Sequence, residues 1–217
     1  MTRLRPLTPV PAAPLLEEIA AVIRRGGVIG LPTESSYGLA ADPHNPDAVA
    51  RVCELKGRPA GMPILVLIGD PAQMRSLVRE IPTAARTLIE HFWPGPLTIV
   101  LPAASGLPNA LTAGTGTIGV RWPAYRPIQS VLQTVGPMTG TSANVTGAPA
   151  LMTAQAVETA FGATLDLILD APVGGGAPST VIEAVGELKI VREGAVRFEQ
   201  IAAAMRPLGV TVHGGGR

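Results

Sequence analysis

The sequence predicts an α/β domain built on a twisted, mixed β-sheet with flanking helices. Three observations lead there. Short apolar runs of strand character, among them Val28–Pro32, Ile64–Ile68 and Leu97–Pro102, are interleaved with amphipathic segments at helical spacing. The two kinds of segment do not alternate strictly, which argues for a mixed sheet over an all-parallel one. Gly (25) and Pro (22) are abundant, so the connections between short elements must be many and tight. A chain of 217 residues with no internal repeat and no long linker fits one domain, placed at 1–205, with 206–217 expected as a short, partly disordered C-terminal tail.

Taken in order, Pro14 opens an amphipathic helix over Leu15–Arg25, with Leu15, Leu16, Ile19, Val22 and Ile23 on one face, and Gly26-Gly27 ends it. Val28–Pro32 reads as a buried strand, and Thr33–Asn45 as a loop. Asn45 caps the next helix, with Pro46 at its first position and Ala48, Val49, Val52 and Leu55 as its apolar stripe. The stretch Leu55–Pro63 (LKGRPAGMP) breaks that helix, and Ile64–Ile68 is a strand. Asp70-Pro71 and Pro82 start two further helices, the second ending near His91. Trp93–Pro96 is a turn. Leu97–Pro102 and Thr117–Pro123 are strands, and a helix runs from about Pro127 to Val135. A loop over Thr139–Pro149 leads to a helix capped by Thr153 and ending at Phe161. Strands at Leu165–Asp170, Ser179–Val185 and Leu188–Glu193 and a short helix at Glu199–Met205 complete the reading.

Composition narrows the function classes. With 47% apolar but only 3% aromatic residues, the core must be built from Ala, Val, Leu and Ile. A net charge of +1 is too balanced for a protein that coats nucleic acid. A single cysteine, Cys53, excludes an internal disulfide and a cysteine-based zinc site, and its place on the apolar side of a helix makes it a core residue. His44, His91 and His213 lie far apart, without carboxylates at ligand spacing. No apolar run reaches the length of a bilayer span and the N-terminus lacks an apolar leader core, so a soluble cytoplasmic protein is expected. Gly114–Gly119 matches G-x-G-x-x-G but precedes a strand instead of opening a helix, so it reads as a turn. There is no Walker P-loop and no G-x-S-x-G elbow. An enzyme with this inventory works by binding and charge stabilisation.

Four polar loops interrupt the apolar strands. Thr33, Ser35, Ser36 and Tyr37 offer hydroxyls outside a strand end, either to a ligand or to their own turn. Lys56 and Arg58, one of only two lysines beside one of fifteen arginines, suit a phosphate; they equally suit the C-terminus of a helix. Thr141–Asn144 (TSAN) brings Ser142 near Asn144, to hold a nucleotide's phosphate or sugar or to form an Asx or Ser turn. Arg121, inside an apolar strand, needs an anion, either a ligand or a structural Asp or Glu, and is paired in this reading with Pro178–Val181 (PSTV).

In this order, the stretches GGVIGLPTESSYGLAADP, LKGRPAGMPILVLI, WPGPLTIVLP, GVRWP, TSANVTG and PSTV resemble the YrdC/Sua5 family of threonylcarbamoyl-AMP synthases, over about Gly26–Gly194. The family's KxR…SxN pattern stands here as Lys56, Arg58, Ser142 and Asn144. The resemblance implies a YrdC-like domain with a concave basic cleft. It implies a nucleotidyltransferase that makes threonylcarbamoyl-AMP and pyrophosphate from L-threonine, bicarbonate or CO2, and ATP, for the modification of adenosine 37 in tRNA. It further implies Mg2+ carried mainly by ATP and no protein metal site, with a downstream tRNA threonylcarbamoyltransferase complex as partner.

Carried over residue by residue, Lys56 and Arg58 are the phosphate-binding, catalytic cations. Lys56, Arg58, Ser142, Asn144 and Arg192 form the ATP site, and Thr33, Arg121, Ser142 and Ser179 the threonine site. Many relatives carry a threonine-contacting histidine where this chain has Leu67, and the longer branch carries an extra C-terminal domain. The alternatives are a non-catalytic RNA-binding or ribosome-associated protein, which the charge balance and scarce aromatics oppose, and a paralogue acting on a different acceptor.

Overall fold

The computed structural model describes residues 3–59 and 61–214. The mixed α/β class holds, and the strands separate into two sheets instead of forming one. The first sheet consists of β1 (Arg3–Pro6), β9 (Leu167–Asp170), β2 (Ile29–Pro32), β3 (Tyr37–Ala40) and β8 (Thr141–Ser142), in that spatial order. The second runs β12 (Val212–His213), β11 (Leu188–Arg192), β10 (Thr180–Glu183), β5 (Leu97–Pro102), β6 (Thr117–Arg121), β4 (Val66–Leu67) and β7 (Met138–Thr139). Parallel and antiparallel pairs are mixed in both: β1 and β2 run parallel to β9, while β3 is antiparallel to β2 and to β8.

Helices cover the sheets. α1 (Ala13–Arg24) packs against α5 (Arg126–Val135), and Ile19, Val22, Ile128, Val131 and Leu132 join Ile29, Leu31, Leu167 and Leu169 in one core cluster. The larger cluster gathers Leu97, Ile99 and Val120 of the second sheet with Leu88 of α3 (Thr83–Phe92) and Ile201 of α7 (Phe198–Met205). α2 (Pro46–Lys56) starts as its capping residues dictate, with the Asn45 side chain accepting from the N–H groups of Asp47 and Ala48. It ends at Gly57, whose φ of 54° is a left-handed value that glycine accommodates readily. α6 (Ala154–Phe161) is capped by Thr153 as expected. A short α4 (Asn109–Thr112) precedes the turn that contains Gly114 and Gly116.

Several expectations are corrected. The loop expected over Thr33–Asn45 contains β3, which folds back on β2 as a hairpin and whose Gly38 and Leu39 also pair with Ser142 and Thr141 on the other edge. In Ile64–Ile68 only Val66 and Leu67 join the ladder; the flanking N–H groups of Ile64 and Ile68 bond to Leu111 and Arg121 carbonyls. The loop expected over Thr139–Pro149 begins with β8. The helix expected at Asp70-Pro71 is a 3-10 turn over Pro71–Ser76. In the stretch assigned to the tail, Arg206–Leu208 form a 3-10 turn and Val212–His213 add an edge strand, while residues 215–217 lie outside the described residues. Cys53 is half-buried against the larger cluster. Among the described residues no helix is long and apolar enough to cross a membrane.

The chain passes from the second sheet to the first at Gly140, between β7 and β8. A Cβ there would stand 2.6 Å from Leu67 Cγ and 2.8 Å from Leu65 Cδ1, so the crossing requires a residue without a side chain. A cavity opens at this crossing.

Candidate active site

A cavity of about 520 Å3 is lined from both sheets. The first contributes Thr33, Ser35, Ser36 and Gly38 around the β2–β3 turn, and Thr141 and Ser142 from β8. The second contributes Leu67 from β4, Thr98 from β5, Gly119 and Arg121 from β6, Val181 from β10 and Arg192 from β11, with Ser179 just before β10. Arg58 and Met62 close one side. The lining therefore holds three guanidinium groups and several hydroxyls but no carboxylate, imidazole or thiol. That is an anion-binding surface without an evident general base.

The β2–β3 hairpin is closed by Thr33. Its N–H and hydroxyl both donate to the Ser36 carbonyl, at 3.0 and 2.7 Å. This is the self-bonded turn that the sequence left open, and it presents the serines to the cavity. Tyr37 is fully buried and donates to the Ala171 carbonyl at 2.8 Å; burial raises its pKa.

Arg121 is only 7% exposed at its side chain. Its Nη2 meets Glu34 Oε1 at 2.8 Å and its Nε donates to the Gly95 carbonyl at 3.1 Å. Burial pushes its pKa down and Glu34 pushes it back up. Of the two partners left open in the sequence, the structural carboxylate is thus present, and the guanidinium still lines the cavity. Across the cavity wall, Arg192 Nη2 donates to the Ser179 carbonyl at 2.8 Å, and the Ser179 and Thr98 hydroxyls lie 3.0 Å apart.

Lys56 does not line the cavity. It is the last residue of α2, is 3% exposed, and gives its Nζ to the Ser142 carbonyl (2.6 Å), the Asn144 carbonyl (2.8 Å) and Asn144 Oδ1 (3.2 Å). Burial, then the nearby Arg58, lower its pKa from 10.5 to about 8. Lys56 thus stands at a helix C-terminus, one of the two placements the sequence left open, and is buried there. Asn144 is likewise spent within its own loop: Oδ1 accepts from Ser142 Oγ, and Nδ2 donates to the Val145 and Ala148 carbonyls at 3.0 and 2.7 Å. Arg58 holds its own turn, with Nε on the Met62 carbonyl (2.9 Å) and an Nη on that of Pro63 (2.6 Å).

A family model described as "Telomere recombination", which spans the Sua5, YciO and YrdC proteins, matches residues 21–194. The chain belongs to the Sua5/YciO/YrdC family. Among its relatives, the threonylcarbamoyl-AMP synthase of Bacillus subtilis is 35% identical over 201 residues, 91% of this chain and 58% of that protein. A protein of Mycobacterium tuberculosis named putative threonylcarbamoyl-AMP synthase is 35% identical over 84% of this chain and 85% of its own length. The solved structure of Pyrococcus abyssi Sua5 complexed with L-threonine superposes with a TM-score of 0.88 at 31% identity, covering 98% of this chain and 62% of that one. Escherichia coli YciO gives 0.82 at 25% identity, covering 93% of this chain and all of that one. This chain thus spans less than two thirds of the Bacillus and Pyrococcus relatives.

Within this Sua5/YciO/YrdC domain, six of the eight residues carried over from the family pattern meet at the cavity, namely Thr33, Arg58, Arg121, Ser142, Ser179 and Arg192, together with the hydroxyl residues Ser35, Ser36 and Tyr37. Lys56 and Asn144 stand behind Ser142 and fix its loop. Sequence reasoning missed Thr98 and Glu34. Thr98 is hidden in a strand otherwise read as apolar. Glu34 follows Thr33 in the PTE motif, and the one signal for it was the need of a buried Arg121 for an anion.

Proposed function

We propose that this protein is an L-threonylcarbamoyladenylate synthase, a nucleotidyltransferase that forms threonylcarbamoyl-AMP and pyrophosphate from L-threonine, bicarbonate or CO2, and ATP. The observation that carries this reading is the cavity lining: three guanidiniums and a row of hydroxyls with no acid–base residue among them. The names of the relatives, and the threonine in the Pyrococcus structure, support it.

The reaction asks little proton chemistry of the protein. The threonine amine adds to CO2 and loses a proton, giving a carbamate. A carbamate oxygen then attacks the α-phosphorus of ATP, and the bond to the bridging oxygen breaks as pyrophosphate leaves. Negative charge spreads over the phosphoryl oxygens, and fixed donors stabilise it. In this reading Arg58 and Arg192 face the phosphates, Arg121 takes the threonine carboxylate or a phosphate, and Thr33, Ser142 and Ser179 orient the amino acid and nucleotide. Lys56 and Asn144 act through Ser142.

Leu67 and Leu65 form an apolar wall against Gly140, fitting the methyl of a small side chain. Among the described residues no group of three or more His, Cys, Asp or Glu could hold a metal ion. Mg2+ in this reading enters with the triphosphate, where it neutralises phosphate charge. The product serves adenosine 37 of tRNA through a downstream transferase complex in the cytoplasm.

The purified chain, given ATP, bicarbonate and Mg2+, is expected to release pyrophosphate only when L-threonine is added, with threonylcarbamoyl-AMP seen by mass spectrometry. Release that does not depend on threonine would move the protein to a different acceptor.

A further inference from the structure

Arg121 faces the cavity, but the group that decides where its guanidinium points lies behind it. Glu34 belongs to the β2–β3 turn and does not line the cavity. Its Oε1 accepts from Arg121 Nη2 and from the Ala124 N–H, both at 2.8 Å. One carboxylate oxygen therefore ties the side chain of β6 to the backbone that follows it. The turn carrying Glu34 is itself pinned: the Glu34 carbonyl accepts from the Gly176 N–H at 2.7 Å, and the Thr33 carbonyl from that of Gly174 at 3.0 Å. A Cβ on Gly174 would lie 2.9 Å from Glu34 Cα, so the glycine-rich loop reaches this close only because it is glycine.

On its other edge the guanidinium donates Nε to the Gly95 carbonyl. That carbonyl is presented by the Trp93–Pro96 turn, where a Cβ on Gly95 would stand 2.2 Å from the Phe92 carbonyl oxygen. Among the described residues Nη1 takes no hydrogen bond. Arg192, a second cation of the lining, lies near enough to disfavour the charge on Arg121. An anion between the two would relieve that repulsion.

We propose that Glu34 is a positioning residue: by fixing Nη2 of Arg121 from behind, it aims the remaining N–H groups of the guanidinium at an anionic group of the substrate in the cavity. This rests on reading the cavity as the substrate site. An arginine side chain has many rotamers, and a buried one held on two edges loses none of that freedom on binding. The role is geometric, so an acceptor at Oε1 matters more than the charge.

Two variants separate the roles. Glu34→Gln keeps an oxygen for Nη2 and the Ala124 N–H; Glu34→Ala removes it. The first readout is the 15N–1H signal of the Arg121 side chain, assigned with Arg121→Lys. It is expected to be sharp and slowly exchanging in the wild type and Glu34→Gln, and broadened or lost in Glu34→Ala. The second is threonine-dependent pyrophosphate release, with KM for threonine rising about tenfold or more in Glu34→Ala, kcat less affected, and Glu34→Gln within about threefold of wild type.

If Glu34→Gln behaves like Glu34→Ala in both readouts, Glu34 acts only as a counter-charge and the proposal is overturned. It is equally overturned if Glu34→Ala lowers the melting temperature while leaving the Arg121 signal and KM unchanged. A wild type with no threonine-dependent turnover defeats the functional reading instead, and the Arg121 signal then decides the role of Glu34 alone.

Discussion

Replacing Lys56 with methionine tests whether this lysine meets the nucleotide directly or braces the loop that does. Methionine keeps an unbranched, buried stem and deletes the ammonium. The lost bonds are those to the carbonyls of Ser142 and Asn144 and to Asn144 Oδ1, at 2.6, 2.8 and 3.2 Å. At the low end of charge-assisted bonds, about 1.5 kcal/mol each, they amount to about 4–5 kcal/mol. Against this stands the penalty of burying the charge. The fall of the Lys56 pKa from 10.5 to about 8 corresponds to roughly 3 kcal/mol against the charged form at neutral pH, and methionine is relieved of it. The net destabilisation is about 1–2 kcal/mol, or about 2–8 °C in Tm for a chain of this size.

The catalytic effect should be larger than the thermal one. Ser142 and Asn144 lose the anchor that sets their loop, so kcat/KM is expected to fall by about tenfold or more, through both kcat and KM. Thermal melting and pyrophosphate release, measured on the same preparation, give the two numbers. An unchanged Tm with a rise confined to KM for ATP would refute the reasoning, because it would put the ammonium on phosphate and not on the loop.

Three other expectations follow from the same geometry. With its pKa near 8, Lys56 is charged in both folded and unfolded states below that pH, where the burial penalty applies in full; between about 8 and 10.5 the folded state gives up the proton first, so this group's contribution to stability rises with pH. Turnover should move the opposite way, because the neutral amine has one donor fewer for the loop, and a kcat/KM profile lacking an alkaline fall near 8 would contradict this. Gly140→Ala drives a Cβ into Leu67 Cγ and Leu65 Cδ1, at 2.6 and 2.8 Å, and should cost about 1–3 kcal/mol in chemical denaturation while narrowing the cavity. Arg121→Lys loses the planar fork between Glu34 and the Gly95 carbonyl and should raise KM for threonine by about tenfold, measured by initial rates.

Most regular elements were legible because their cause is local. Asn45-Pro46 and Thr153 mark helix starts through bonds made within the next few residues, and the run Leu97–Pro102 is a strand of those same residues. β7, β8 and the short extent of β4 were obscured because two-residue strands are defined by partners far away in sequence. Leu67, for instance, pairs with Met138 on one side and Arg121 on the other.

The site divides the same way. Residue types and their order mark Arg58, Ser142, Ser179 and Arg192, all of which reach the cavity. Orientation was not legible. A helix-terminal lysine reads alike whether its ammonium faces a phosphate or, as here, Ser142 and Asn144. Glu34 reads as an ordinary loop carboxylate until the fold sets it against Arg121.

The position of β9 between β1 and β2 has a bearing on how the chain matures during synthesis. β2 forms its hairpin with β3 early, yet β1, which begins at Arg3, and the other edge of β2 have no neighbour until Leu167–Asp170 has left the ribosome. At about 5–20 residues per second, β1 and the open edge of the β2–β3 hairpin wait on the order of ten seconds. Pairing across so long a stretch of chain is intrinsically slow, and apolar β2 is exposed to aggregation in the meantime. A nascent chain truncated before Leu167 should therefore be held by chaperones, whereas one extending past Asp170 can close the first sheet.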